Sequence, residues 1–123
     1  MTKIRSIMKK TVDVNAEDTL INLAKLLKKH SLTGVPVINS KKIVIGFVSE
    51  RDIVSAVPRK DFSMLVVKNI MKKKVISLKP DDPVTKATKI FSLHKFRLVP
   101  VIKNGKIAGI IRRNDVIEYM LHI

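Results

Sequence analysis

Apolar and polar residues alternate over Val12 to Val14, then apolar positions recur at helical spacing through Leu20, Leu23, Ala24 and Leu27. The first spacing predicts a short strand, and the second a helix with one buried face. Val35 to Ile38 and Ile43 to Val48 are apolar and β-branched runs separated by the turn residues Asn39 to Lys42, which predicts two paired strands. The first run holds Pro36, and a proline cannot donate to a ladder, so that strand is expected to be short or at an edge. Glu50 to Val57 predicts a short helix that Pro58 ends. The same order then returns. Val75 and Leu78 fall on a strand, and Val84, Ala87, Thr88 and Phe91 on a helix. Val99 to Ile102 and Ile107 to Ile111 fall on strands joined at Asn104-Gly105, and Arg113 to Leu121 on a closing helix. Asp18 and Asp82 stand where helix caps belong, Pro83 suits a first helical position, and His30 and His94 close the long helices.

The chain is thus a β-α-β-β-α pattern written twice. Ile7-Met8 matches Ile70-Met71, Leu32 to Ile38 (LTGVPVI) matches Phe96 to Ile102 (FRLVPVI), and Gly46 to Asp52 (GFVSERD) matches Gly109 to Asp115 (GIIRRND). One such unit rarely buries its apolar face alone. An α/β (α+β) fold is therefore expected, with residues 1–58 and 65–123 as the repeats and 59–64 as the linker. The repeats should pack about a pseudo-twofold axis, creating two related clefts.

Composition narrows the chemistry. Hydrophobic residues make up 46% of the 123 positions and aromatics only 4%, so the core must be aliphatic. Without cysteine there is no disulfide framework, thiolate nucleophile or Cys-ligated zinc. No apolar run approaches the roughly 20 residues of a membrane span, and the start MTKIRSIMKK has no apolar signal core. A soluble, cytoplasmic protein with no membrane partner is expected. The net charge of +15 points to an anionic partner, or to a solvated lysine surface, since 19 of the 25 basic residues are Lys. Lys9-Lys10 and Lys72-Lys73-Lys74 recur at equivalent places and could track a phosphate backbone. They lack interleaved aromatics and a readout motif, so weak, sequence-independent binding to DNA or RNA is expected.

The sharpest local feature is a strand, Gly46, two apolar residues, Ser49, two charged residues and Asp52 at a helix start. A hydroxyl and a carboxylate beside free helix N–H groups suit an anionic ligand, and the aspartate could accept from a ribose diol. Ser-x-x-Asp before an apolar stretch is equally a plain capping box. Asp115 returns in the second repeat although Arg112, in the serine's place, cannot cap.

The ordered set IM-x-V-x-V, helix, h-h-P-V, turn, G-h-h-S-x-x-D, helix (h, apolar) resembles a CBS domain, and its duplication resembles a tandem CBS pair, or Bateman module, over nearly the whole chain. That resemblance implies a non-catalytic regulatory module binding an adenosine-containing ligand such as AMP, ADP, ATP or S-adenosylmethionine between the repeats. It also implies pairing into a homodimer. Carried over residue by residue, it places the ribose contacts on Ser49 and Asp52. The adenine slot would use Phe47, Pro100 and the strand Val75, Ile76, Ser77 and Leu78, while Arg97 and Arg51 would meet phosphate. A second, weaker site would draw on Asp115, Arg112, Asn114, Val12, Asp13, Thr33 and Pro36. There Arg112 replaces the usual Ser or Thr, and Thr33 stands at the counterpart of Arg97.

Little else carries chemistry. His30, His94 and His122 are too scattered for a metal motif, and Asp81-Asp82 reads as helix-start caps. With no phosphate loop, nucleophile elbow or His-containing dyad, neither enzyme activity nor a cofactor is expected. A sensor without an effector implies a protein partner in trans. Ile53, Val54 and Val57, with Val116, Ile117, Met120 and Leu121, offer apolar surface for the homodimer. The competing reading is a basic nucleic-acid-binding protein modulated by nucleotide.

Overall fold

The structure, a computed structural model, describes residues 1–123. Its contacts divide into two compact units. One is Val12–Val75, and the other joins Met1–Thr11 to Ile76–Ile123. These units are not the two sequence repeats, because each includes the segment that precedes the other repeat's first strand.

In the first unit, β1 (Val14–Asn15) leads to α1 (Leu20–His30), then β2 (Gly34–Ile38), β3 (Val44–Ser49) and α2 (Glu50–Ala56), and α3 (Val67–Ile70) follows the linker. The sheet runs β1-β2-β3, with β1 parallel and β3 antiparallel to β2. The helical spacing of Leu20, Leu23 and Leu27 puts all three on the buried face of α1, against Val35, Val37 and Val48. Ser31 ends that helix in the left-handed conformation, and its N–H returns to Leu27. Leu65 and Val67 complete this core. Val67 N–H donates to the Asp18 carbonyl at 2.9 Å, Lys68 N–H to the Ala16 carbonyl at 2.9 Å, and Phe47 and Lys72 exchange two backbone bonds.

The second unit repeats the scheme with α4 (Val84–Leu93), β4 (Leu98–Lys103), β5 (Lys106–Arg112) and α5 (Arg113–Met120). Here Ile4 takes the place of Val67, fully buried beside Leu78, Ala87, Val99, Val101 and Ile111. Ile4 N–H donates to the Asp82 carbonyl, Arg5 N–H to the Pro80 carbonyl, and Lys9 exchanges two bonds with Ile110. The hairpin between β4 and β5 turns at Asn104 (φ 53°) and Gly105 (φ 79°), both left-handed, as its sequence predicts.

Three local expectations are corrected, and one pair of alternatives is decided. The strand holding Pro36 is short, at five residues, and central in its sheet rather than at an edge. The β4 counterpart shows why: Leu78 donates to the Pro100 carbonyl and accepts from Ile102, so the parallel ladder starts at the proline's oxygen and asks nothing of its nitrogen. The α1 cap is Thr19, whose hydroxyl accepts from Asn22 N–H at 3.1 Å; Asp18 instead receives Thr19 N–H and the Asn22 amide. Before α4, Pro83 is the cap residue rather than the first helical one, and Asp82 accepts from Lys79 N–H at 2.7 Å. Finally, Val75 to Ser77 form no strand; only Leu78 pairs, with Val101. No helix is long and apolar enough to cross a membrane.

Candidate functional site

The end of β3 and the start of α2 carry the Ser49–Asp52 pair. Thr33 fixes the corner by accepting Glu50 N–H at its carbonyl, 2.9 Å away; Arg97 accepts Arg113 N–H in the same way in the second unit, at 3.2 Å. Ser49 is extended (φ −122°, ψ 166°), and its hydroxyl oxygen accepts Asp52 N–H at 3.3 Å. In return, Asp52 Oδ2 accepts Ser49 N–H at 2.9 Å and the Ser49 hydroxyl at 3.1 Å. The capping box is therefore real. It consumes one carboxylate oxygen and leaves the other, Oδ1, facing only Lys72 Nζ at 3.6 Å. The Asp52 side chain is 10% exposed, whereas that of Lys72 is 74% exposed. An exposed ammonium at that distance is a weak partner that a ligand can displace or recruit.

Phe47 projects from the same strand, opposite buried Pro36, with its ring over Gly34, where a Cβ would stand 2.7 Å from the ring. Arg51 is exposed on α2. Val12, Asp13, Thr33 and Val75 are half-buried members of the same unit, while Ile76, Ser77, Arg97 and Pro100 belong to the other. Each of the two expected sets thus draws on both units.

In the second unit Asp115 is buried, with its side chain 4% exposed. Oδ2 accepts Arg112 N–H at 2.8 Å, so the aspartate caps α5 without a serine. The Arg112 guanidinium then reaches both carboxylate oxygens, Nε to Oδ2 and Nη2 to Oδ1, each at 3.3 Å. Arg112 itself remains half-exposed, and Asn114 is exposed.

Two features escaped the sequence. Lys72 reads there as part of a basic cluster; its place beside Asp52 depends on the backbone bridge to Phe47, a pairing that no local spacing signals. The first unit also carries an open groove of about 730 Å³, lined among others by Asn15, Asn39, Ile45, Asn69, Met71 and Lys73. None of the residues assigned to the two ligand sites lines it; Lys73, of the basic cluster, does. No three of His, Cys, Asp and Glu gather as a metal site would require.

A profile of the CBS domain matches residues 4–59 and 67–122. Among sequence relatives, protein MJ1426 of Methanocaldococcus jannaschii is 26% identical over 96% of this chain and 90% of its own length. A 17.7 kDa protein of Acidianus ambivalens is 38% identical, over 85% of this chain and 64% of its own. Inosine-5'-monophosphate dehydrogenase of Korarchaeum cryptofilum is 32% identical over 89% of this chain, which spans only 22% of that enzyme. Among solved structures, the CBS domain pair of protein MJ0100, in complex with 5-methylthioadenosine and S-adenosyl-L-methionine, superposes with a TM-score of 0.87 at 22% identity, covering 99% of this chain and 98% of that one. CBSX2 in complex with AMP superposes at 0.88 and 22%, with the same coverage.

Proposed function

This chain belongs to the CBS-domain family, with two such domains in tandem, and from that premise we propose that it is a non-catalytic regulatory module. It binds an adenosine-containing ligand, AMP, ADP, ATP or S-adenosylmethionine, through Asp52 and signals to a protein partner in trans. The observation that carries the reading is the half-used carboxylate of Asp52: Oδ2 is locked in the cap, and Oδ1 has only an exposed lysine 3.6 Å away. That leaves an oriented acceptor for a ribose hydroxyl. Complexes of AMP, S-adenosyl-L-methionine and 5-methylthioadenosine with similarly folded CBS proteins support this ligand class. Arg51, exposed next to Asp52, and Arg97, carried over by the resemblance, are the proposed phosphate partners. Phe47, Val75, Ile76, Ser77 and Pro100 are the proposed adenine contacts. Calorimetric titration with these ligands tests the reading, since binding must weaken when Asp52 is replaced.

We further propose a homodimer through α2 and α5. Val54 is 68% exposed and Leu121 72%, and Val57, Ile117 and Met120 are also more than half exposed. Such apolar surface on two short helices and on Val57 and Leu121, which follow them, suits a second copy of the same chain. The +15 charge supports a secondary reading, weak and salt-sensitive binding to nucleic acid.

A further inference from the structure

Asp52 and Asp115 hold the same place in the two repeats, yet their carboxylates are engaged differently. Both accept the backbone N–H three residues earlier, at 2.9 and 2.8 Å. Beyond that, Asp52 has a neutral serine hydroxyl on Oδ2 and nothing within hydrogen-bond length on Oδ1. Asp115 has a guanidinium nitrogen on each oxygen. A vicinal ribose diol offers a carboxylate two adjacent O–H donors. The planar fork of an arginine offers two adjacent N–H donors and a positive charge, so it competes for the same acceptor edge.

We infer that Arg112 is a built-in occupant of the diol position at Asp115, a specificity-determining residue that closes this place to adenosine and confines binding to Asp52. The inference rests on the proposed role of Asp52 and deepens it: the second repeat keeps its aspartate for the fold, as the N-terminal cap of α5, while its own side chain takes the ligand's seat. An arginine here does what the serine at position 49 cannot, because a hydroxyl reaches one oxygen and carries no charge.

The test is calorimetry with adenosine, which lacks phosphate and so does not sense the lost cation directly, beside 2′,3′-dideoxyadenosine, which lacks the diol. The wild type should show one adenosine event per chain. Arg112→Ser, which rebuilds Ser-x-x-Asp, should show two, with the added event at least about tenfold weaker for dideoxyadenosine. Arg112→Ala should gain the same event, which covers the case that the serine variant folds poorly. Asp115→Asn placed on Arg112→Ser should remove it. Two adenosine events in the wild type, no added event in either variant, or an added event indifferent to the diol would overturn the inference. The reading of Asp52 fails separately, if Asp52→Ala leaves the wild-type event unchanged; the event gained at Asp115 is scored without reference to it.

Discussion

Gly46 passes so close to Met71 that a methyl group on its Cα would stand 2.6 Å from the Met71 sulfur, and 2.9 Å from the Lys72 carbonyl oxygen. Gly109 makes the same approach to the segment preceding the first repeat's first strand, with the Lys9 carbonyl oxygen at 2.7 Å. A thioether can swing away, but a carbonyl held in a two-bond bridge cannot. Gly46→Ala and Gly109→Ala should each destabilise the protein by about 1 to 3 kcal/mol, the usual cost of overpacking. Denaturant titration checks this, and an unchanged midpoint for both would mean that the bridging segments sit more loosely.

Ile4 and Val67 play one role in two units. Each is fully buried, and each anchors a segment that lies before a repeat's first strand. Ile4→Ala should cost about 2 to 5 kcal/mol, the range for a large aliphatic cut to alanine in a core. So large a loss so near the chain terminus, read by thermal unfolding, is what distinguishes a structural segment from a solvated tail. A loss under about 0.5 kcal/mol would contradict it.

These segments mark the limit of what the sequence makes legible. Periodicity finds both long helices, both hairpins and the α2 and α5 starts, because those depend on neighbours in the chain. It assigns Ile7-Met8 and Ile70-Met71 correctly as equivalent, yet it cannot show that residues 1–11 belong with Ile76–Ile123, since that pairing joins positions some 75 to 100 apart. The site divides in the same way. Ser49 and Asp52 are legible as a pair because a capping box spans three residues. Lys72 is not, because it reaches Asp52 from 20 positions away. Arg112 is visible as a departure from the motif, but only the fold shows its guanidinium on Asp115.

The proposed dimer predicts a mass twice that of the 13.9 kDa chain in light scattering at micromolar concentration. Val54→Glu and Ile117→Glu remove exposed apolar groups without opening either core, and should return the mass to that of one chain with little change in secondary structure. A wild-type monomer under those conditions would contradict the proposal.

The charge predicts binding to duplex DNA or RNA at low salt that weakens steeply as salt rises and ignores sequence. Fluorescence anisotropy at about 50 and about 200 mM salt should show an affinity loss of ten-fold or more. Tight binding that survives the higher salt and favours one sequence would instead make nucleic acid the main ligand.

Asp52 is proposed to hold the ribose of an adenosine ligand, and calorimetry of the wild type against Asp52→Ala is the decisive comparison. A hydrogen bond to a charged group contributes about 1.5 to 3 kcal/mol, so the variant should bind adenosine ligands roughly ten- to a hundred-fold more weakly. Asp52→Asn, which keeps an acceptor for Ser49 N–H, guards against a loss caused by the cap alone and should also bind more weakly. Affinity unchanged in both variants would contradict the account and leave Asp52 as the cap of α2.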